Sequence, residues 1–147
     1  MFESSCLCGA NRLRWEAEPF LRMRCWCVDC KKFSGSTNTN NILVPLKGMK
    51  VVKGNLKTFT LDVESGNQMT SFFCDHCGST LYRRSSGISD GVAVMVGGVD
   101  GDEMLHASKP QVEIYTSSRP EWVAPIKGAE QVEGAWHPRP DQLPKRA

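Results

Sequence analysis

Seven cysteines in 147 residues fall into three tight groups: Cys6-Leu7-Cys8, Cys25-Trp26-Cys27-Val28-Asp29-Cys30 and Cys74-Asp75-His76-Cys77-Gly78. No cysteine stands alone. An odd count at such short spacings argues against a disulfide framework and for metal in a reducing compartment. Seven is also more than one tetrahedral ion takes. A zinc ion closed by four sulfurs is structural, whereas three protein ligands leave a position open for water or substrate.

Each group has its own geometry. In Cys74-x2-Cys77-Gly78 the glycine lets the backbone take a positive φ, so that the turn brings two sulfurs to one ion. That pair needs a second pair to complete four sulfurs, and Cys6 and Cys8 can supply it; on an extended strand their side chains share a face. Cys25, Cys27 and Cys30 can all reach one ion and exhaust its local ligands. An open position there suits thiol chemistry, because the ion stabilises an incoming thiolate at neutral pH. The spacing also allows a single zinc ribbon of Cys27, Cys30, Cys74 and Cys77, leaving Cys6, Cys8 and Cys25 free. His76 sits inside a turn whose two sulfurs already bind, and His106 and His137 have no chemical neighbours, so all three read as surface residues.

The remaining composition narrows the function classes. Eighteen basic residues stand against 16 acidic ones, for a net charge of +2. That balance lacks the basic stripe of a nucleic-acid binder. No run reaches the apolar length of a membrane span. Residues 1–6 carry neither a charged n-region nor an apolar h-region, so no signal peptide is read and a cytoplasmic location is expected. A chain of this length forms one domain that buries about 70% of its unfolded surface. Oligomeric state is not legible.

Helical periodicity is nearly absent. Strand-like runs recur between turn residues, at 11–15, 42–45, 49–52, 56–62, 68–74, 80–84, 92–96 and 112–115. Short helices are expected at 28–33 and 121–123. The pattern reads as a mostly β fold of small sheets clipped by metal. Residues 1–136 form the domain. The tail 137–147 holds three prolines and is expected to be mobile.

CLCGA, CWCVDCKKFSGS, FFCDHCGSTLY and the late PQVEIYTSSRPEWV, in this order, resemble the glutathione-dependent formaldehyde-activating enzyme family, which shares its domain with centromere protein V. The resemblance covers residues 4–135. It implies a β-tent fold of small antiparallel sheets and two zinc ions per chain. It assigns a structural zinc to Cys6, Cys8, Cys74 and Cys77, and a catalytic zinc to Cys25, Cys27 and Cys30. It implies a carbon–sulfur lyase or synthase that joins glutathione to formaldehyde, giving S-(hydroxymethyl)glutathione, or reverses that step. The partner is then a small thiol or thiol adduct, not nucleic acid or membrane. Trp26, Lys31 and Ser34, beside the open zinc, are the candidate substrate contacts. Trp26 and Lys31 also depart from the His and Arg frequent in the family, and Arg and Lys do not grip carboxylates alike. Two alternatives follow: the same zinc chemistry on a specialised metabolite, and a non-catalytic, zinc-stabilised binding module.

Overall fold

The computed structural model describes residues 1–143; residues 144–147, the end of the expected tail, lie outside the described residues. The fold is mostly β. Strands β1 (Phe2–Ser5), β2 (Arg12–Trp15) and β5 (Lys50–Lys53) form a small antiparallel sheet. A second sheet has eight strands, whose order begins with β11 (Glu130–Val132), β10 (Val112–Ile114), β3 (Leu21–Cys25) and β4 (Thr39–Pro45). It continues through β9 (Gly91–Met95), β8 (Thr80–Ser85) and β7 (Gln68–Cys74) to β6 (Leu56–Asp62). β10 runs parallel to both its neighbours, so this sheet is mixed.

Both faces of the large sheet are covered, and its central strands are apolar on each side for that reason. On β4, Ile42 and Val44 join a core shared with Leu13, Trp15, Leu81 and Val94, beneath the small sheet. Leu43, between them, joins a second core with Leu21, Met23, Val112 and Ile114. Cys25 and Cys30 belong to this second core, whereas Cys6 and Cys74 belong to the first.

Two helices interrupt the strands: α1 (Val28–Ser34), directly after the middle cysteines, and α2 (Asp102–Ala107). The helix expected at 121–123 is instead a turn, in which the Val123 N–H donates to the Pro120 carbonyl at 3.0 Å. A three-residue stretch has no intrahelical ladder to sustain it. No helix among the described residues is long and apolar enough to cross a membrane.

Candidate metal centres

The structure divides the seven cysteines four and three. The sulfurs of Cys6, Cys8, Cys74 and Cys77 lie within 4.8 Å of one another, and so do those of Cys25, Cys27 and Cys30. The single-ribbon grouping is not formed.

The four-cysteine group is built from two facing turns. Cys6 and Cys8 do not lie on a strand as expected. The turn after β1 closes with the Gly9 N–H on the Cys6 carbonyl at 2.9 Å. The turn brings the Cys6 and Cys8 sulfurs to 3.6 Å. Gly9 has φ 71° and Gly78 φ 73°, so both turns use the left-handed conformation. The Gly78 N–H closes the second turn on the Cys74 carbonyl at 3.0 Å. The Leu7 N–H, donating to the Ser79 hydroxyl at 3.1 Å, joins the two turns. Zinc–sulfur bonds of 2.3 Å in a tetrahedron require sulfurs about 3.8 Å apart. The 3.6 Å between Cys6 and Cys8 and the 3.7 Å between Cys8 and Cys74 meet that requirement.

Hydrogen-bond donors around these sulfurs favour thiolates. Cys6 Sγ accepts the Asn11 N–H at 3.2 Å, and Cys74 Sγ accepts the His76 N–H at 3.4 Å. The Ser79 hydroxyl, 3.2 Å from Cys77 Sγ, and then the Ser79 backbone, pull that thiol down to about 5.

The three-cysteine group is built differently. Cys25 ends β3, Cys27 caps α1, and Cys30 lies in its first turn. Cys27 Sγ accepts the Cys30 N–H at 3.4 Å. The helix stops at Gly35, at φ 64°, whose N–H caps the Lys31 carbonyl. S–H donation from Cys25 and then Cys30 pulls Cys27 down to about 2, while Cys27 and then Cys30, together with burial, push Cys25 up. Three sulfurs this close, two of them buried and Cys27 half-buried, therefore cannot all ionise unless a cation balances them, which is the donor chemistry of a soft divalent ion.

These three sulfurs line one wall of a cavity of about 540 Å³, a size suited to a small-molecule ligand. Its floor is the front face of the large sheet, including Leu43, Ala93 and Arg83. The end of β6 brings Asp62 and the loop after it Glu64, and residues 135–138 close the far side. The Trp136 indole N–H, buried there, has no hydrogen-bond partner. Tyr115 also lines the cavity and is the one non-glycine residue with positive φ among those described, at 55°. Burial, then the charges of Glu64, Cys27 and Cys25, push its hydroxyl up to about 12.

None of the three expected substrate contacts lines this cavity. Trp26 alternates away from Cys25 and Cys27 and is 0% exposed. Its indole N–H donates to Glu113 Oε1 at 3.0 Å. Lys31 Nζ donates to the Ser118 carbonyl, and the Ser34 hydroxyl donates to the Cys30 carbonyl at 2.6 Å. Glu113, also 0% exposed, gathers the Ile126 N–H at 2.7 Å, the Gln131 amide at 2.8 Å and Arg119 at 3.6 Å. Burial pushes its carboxyl up, but these donors, Trp26 and the Arg119 charge outweigh it and hold the carboxyl low. Trp122 is 78% exposed. His137, read as a surface residue, lies at the cavity rim.

A family model for the glutathione-dependent formaldehyde-activating enzyme matches residues 1–118. Residues 135–138, which close the cavity, lie beyond that match. Among solved structures, the chain is similar to a Rhodobacter sphaeroides protein seen in a crystal structure. The two are 22% identical with a TM-score of 0.56, over 67% of this chain and 88% of that one. That likeness is one of fold. No curated protein matches the chain in sequence.

Proposed function

The chain belongs to the glutathione-dependent formaldehyde-activating enzyme family, and on that premise we propose that it makes or breaks a carbon–sulfur bond in a thiol adduct. The observation that carries this reading is the position of Cys25, Cys27 and Cys30 on the wall of the cavity. Those three would hold the catalytic zinc, and Cys6, Cys8, Cys74 and Cys77 the structural one. Bound zinc supplies the means of holding a substrate thiol as its thiolate at neutral pH. The residues of the chain do the rest. The apolar floor around Leu43 and Ala93 excludes water from the sulfur, and the half-buried Tyr115 hydroxyl stays protonated as a donor. In the forward direction the substrate S–H bond breaks, a bond forms from sulfur to an electrophilic carbon such as that of formaldehyde, and the carbonyl oxygen takes a proton. The reverse step is the lyase reaction.

A second reading, that the thiol is not glutathione, is favoured by the charged lining. Asp29, Asp62 and Glu64 face the cavity, against Arg83 and the rim histidine His137. Glutathione brings two carboxylates, and Lys31, the cation expected to meet one, is turned to Ser118. A thiol with an apolar or cationic body fits this lining better.

NMR exchange spectroscopy of formaldehyde with glutathione, and with a panel of apolar and amino thiols, tests both readings. Enzyme-dependent exchange that is lost in Cys27→Ser supports the carbon–sulfur chemistry, and faster exchange with amino thiols supports the second reading. No exchange above background with any thiol leaves the zinc-stabilised binding module.

A further inference from the structure

Arg83 is a buried cation without a carboxylate. It sits on β8, and only 6% of its surface is exposed. Among the described residues it forms no ion pair. Its Nε donates to the Ser71 hydroxyl at 2.9 Å across the β7–β8 ladder, and its guanidinium lies over the Phe33 ring at 4.4 Å. Its remaining contact is with sulfur: Nη1 lies 3.9 Å from Cys30 Sγ. Neither a hydroxyl nor a ring face balances a buried positive charge, and an unbalanced one is strongly disfavoured. Of the acidic groups around the cavity, Cys30 is the one its guanidinium touches, which makes the cysteine cluster the anion placed to balance it.

The charge of that cluster gives the arginine its role. Three thiolates around a divalent ion leave one negative charge, and an incoming thiolate adds a second. In a cavity that also carries Asp29, Asp62 and Glu64, that second charge is disfavoured unless a cation stands beside it. We propose that Arg83 is a positioning residue that supplies the counter-charge to the three-cysteine centre, so that the centre can accept a substrate thiolate as its fourth sulfur. This rests on the thiol chemistry proposed above. A β-bulge places the side chain: between the pairs Phe73↔Thr80 and Phe72↔Tyr82, Leu81 is an extra residue on β8. The bulge turns Arg83, rather than Arg84, toward the sulfurs; Arg84 is exposed.

The test uses the full chain loaded with Co²⁺, titrated with 2-mercaptoethanol and followed by absorption. In the native protein a fourth sulfur should intensify the d–d bands. Arg83→Met, at unchanged metal content, should bind the thiol about tenfold more weakly or worse. Its sulfur-to-cobalt charge-transfer band should move to lower energy, because the thiolate electrons are no longer held by the adjacent charge. Arg83→Lys, which keeps the charge, and Ser71→Ala, which keeps the guanidinium, should both stay near native affinity. Native affinity and an unshifted band in Arg83→Met would overturn the inference while leaving the thiol chemistry intact. No thiol complex in the native protein would overturn both. If Arg83→Met does not fold, Arg83→Lys decides: retained affinity supports the counter-charge, and a tenfold loss overturns it.

Discussion

The two cysteine centres solve the same chemical problem with opposite resources. The four-cysteine centre is made of two turns at the edge of the first core, with Cys8 exposed and Cys74 buried. Its sulfurs are served by neutral donors, from Asn11, His76 and Ser79. Little besides the sulfurs and the Leu7–Ser79 bond holds one turn to the other. The three-cysteine centre is held by the polypeptide itself: a strand end, a helix cap, and Trp26 anchored on a buried glutamate. On the proposed reading, one centre would use metal to hold the chain together, and the other would use the chain to hold metal beside a cavity.

Exchanging single cysteines breaks this comparison most sharply. Cys74→Ser should leave the chain largely unfolded, because a structural zinc contributes folding free energy directly, about 10 kcal/mol or more in small zinc domains. Cys27→Ser should keep the native circular dichroism spectrum and bind one zinc per chain instead of two. Metal analysis alongside thermal melts checks both. Equal loss of fold in the two variants would erase the distinction between a centre that folds the chain and one that the chain presents.

Glu113 tests the other half of the comparison, that the chain prebuilds the loop of the three-cysteine centre. Removing one partner of a buried, multiply bonded ion pair costs about 3–5 kcal/mol. Glu113→Gln keeps some of the hydrogen bonds and should cost roughly 2 kcal/mol. Its carboxyl titrates below its unfolded value in the native state. It therefore adds stability fully present above the unfolded pKa of about 4.3 and lost as pH falls through the lower native value. The gap between native and variant proteins should be constant near neutrality and narrow in acid below that point. Urea titrations at several pH values would show it; a gap that widens in acid would mean that the glutamate is held protonated.

Much of this was legible in the residues, and what was missed has physical causes. β6 and β7 fall within the residues expected of them, because Ser65-Gly66-Asn67 marks the hairpin between two alternating runs. The positive φ of Gly78 follows from its place after a CxxC pair. The division of cysteines was open on spacing alone, and only the resemblance chose between two centres and one ribbon. The place of Trp26 between two clustered cysteines suggests a contact, yet alternation puts it on the opposite face from both. Arg83 and Arg84 cannot be told apart from sequence, since a bulge at Leu81 decides which one turns inward. Glu113 looked like an ordinary strand residue; its partners Ile126, Arg119 and Gln131 come from loops and from β11, which no periodicity announced.

The smallest test compares one glycine from each centre. Gly78 and Gly35 both have left-handed φ, and a Cβ at either meets nothing within 4 Å. Alanine at each should therefore cost only the backbone strain, about 1–2 kcal/mol. The consequences should differ. At Gly78 the strain falls on a turn that carries two of the four clustered sulfurs, so Gly78→Ala should lose zinc to a competing chelator sooner than the native protein does. At Gly35 the strain falls on the C-terminal end of α1, while Cys25 and Cys27 stay fixed by β3 and the Trp26–Glu113 bond. Gly35→Ala should therefore lower the melting temperature with chelator resistance unchanged at the four-cysteine centre. If both variants release the same zinc at the same chelator concentration, the two centres are one cooperative unit, and strain at either spreads to both.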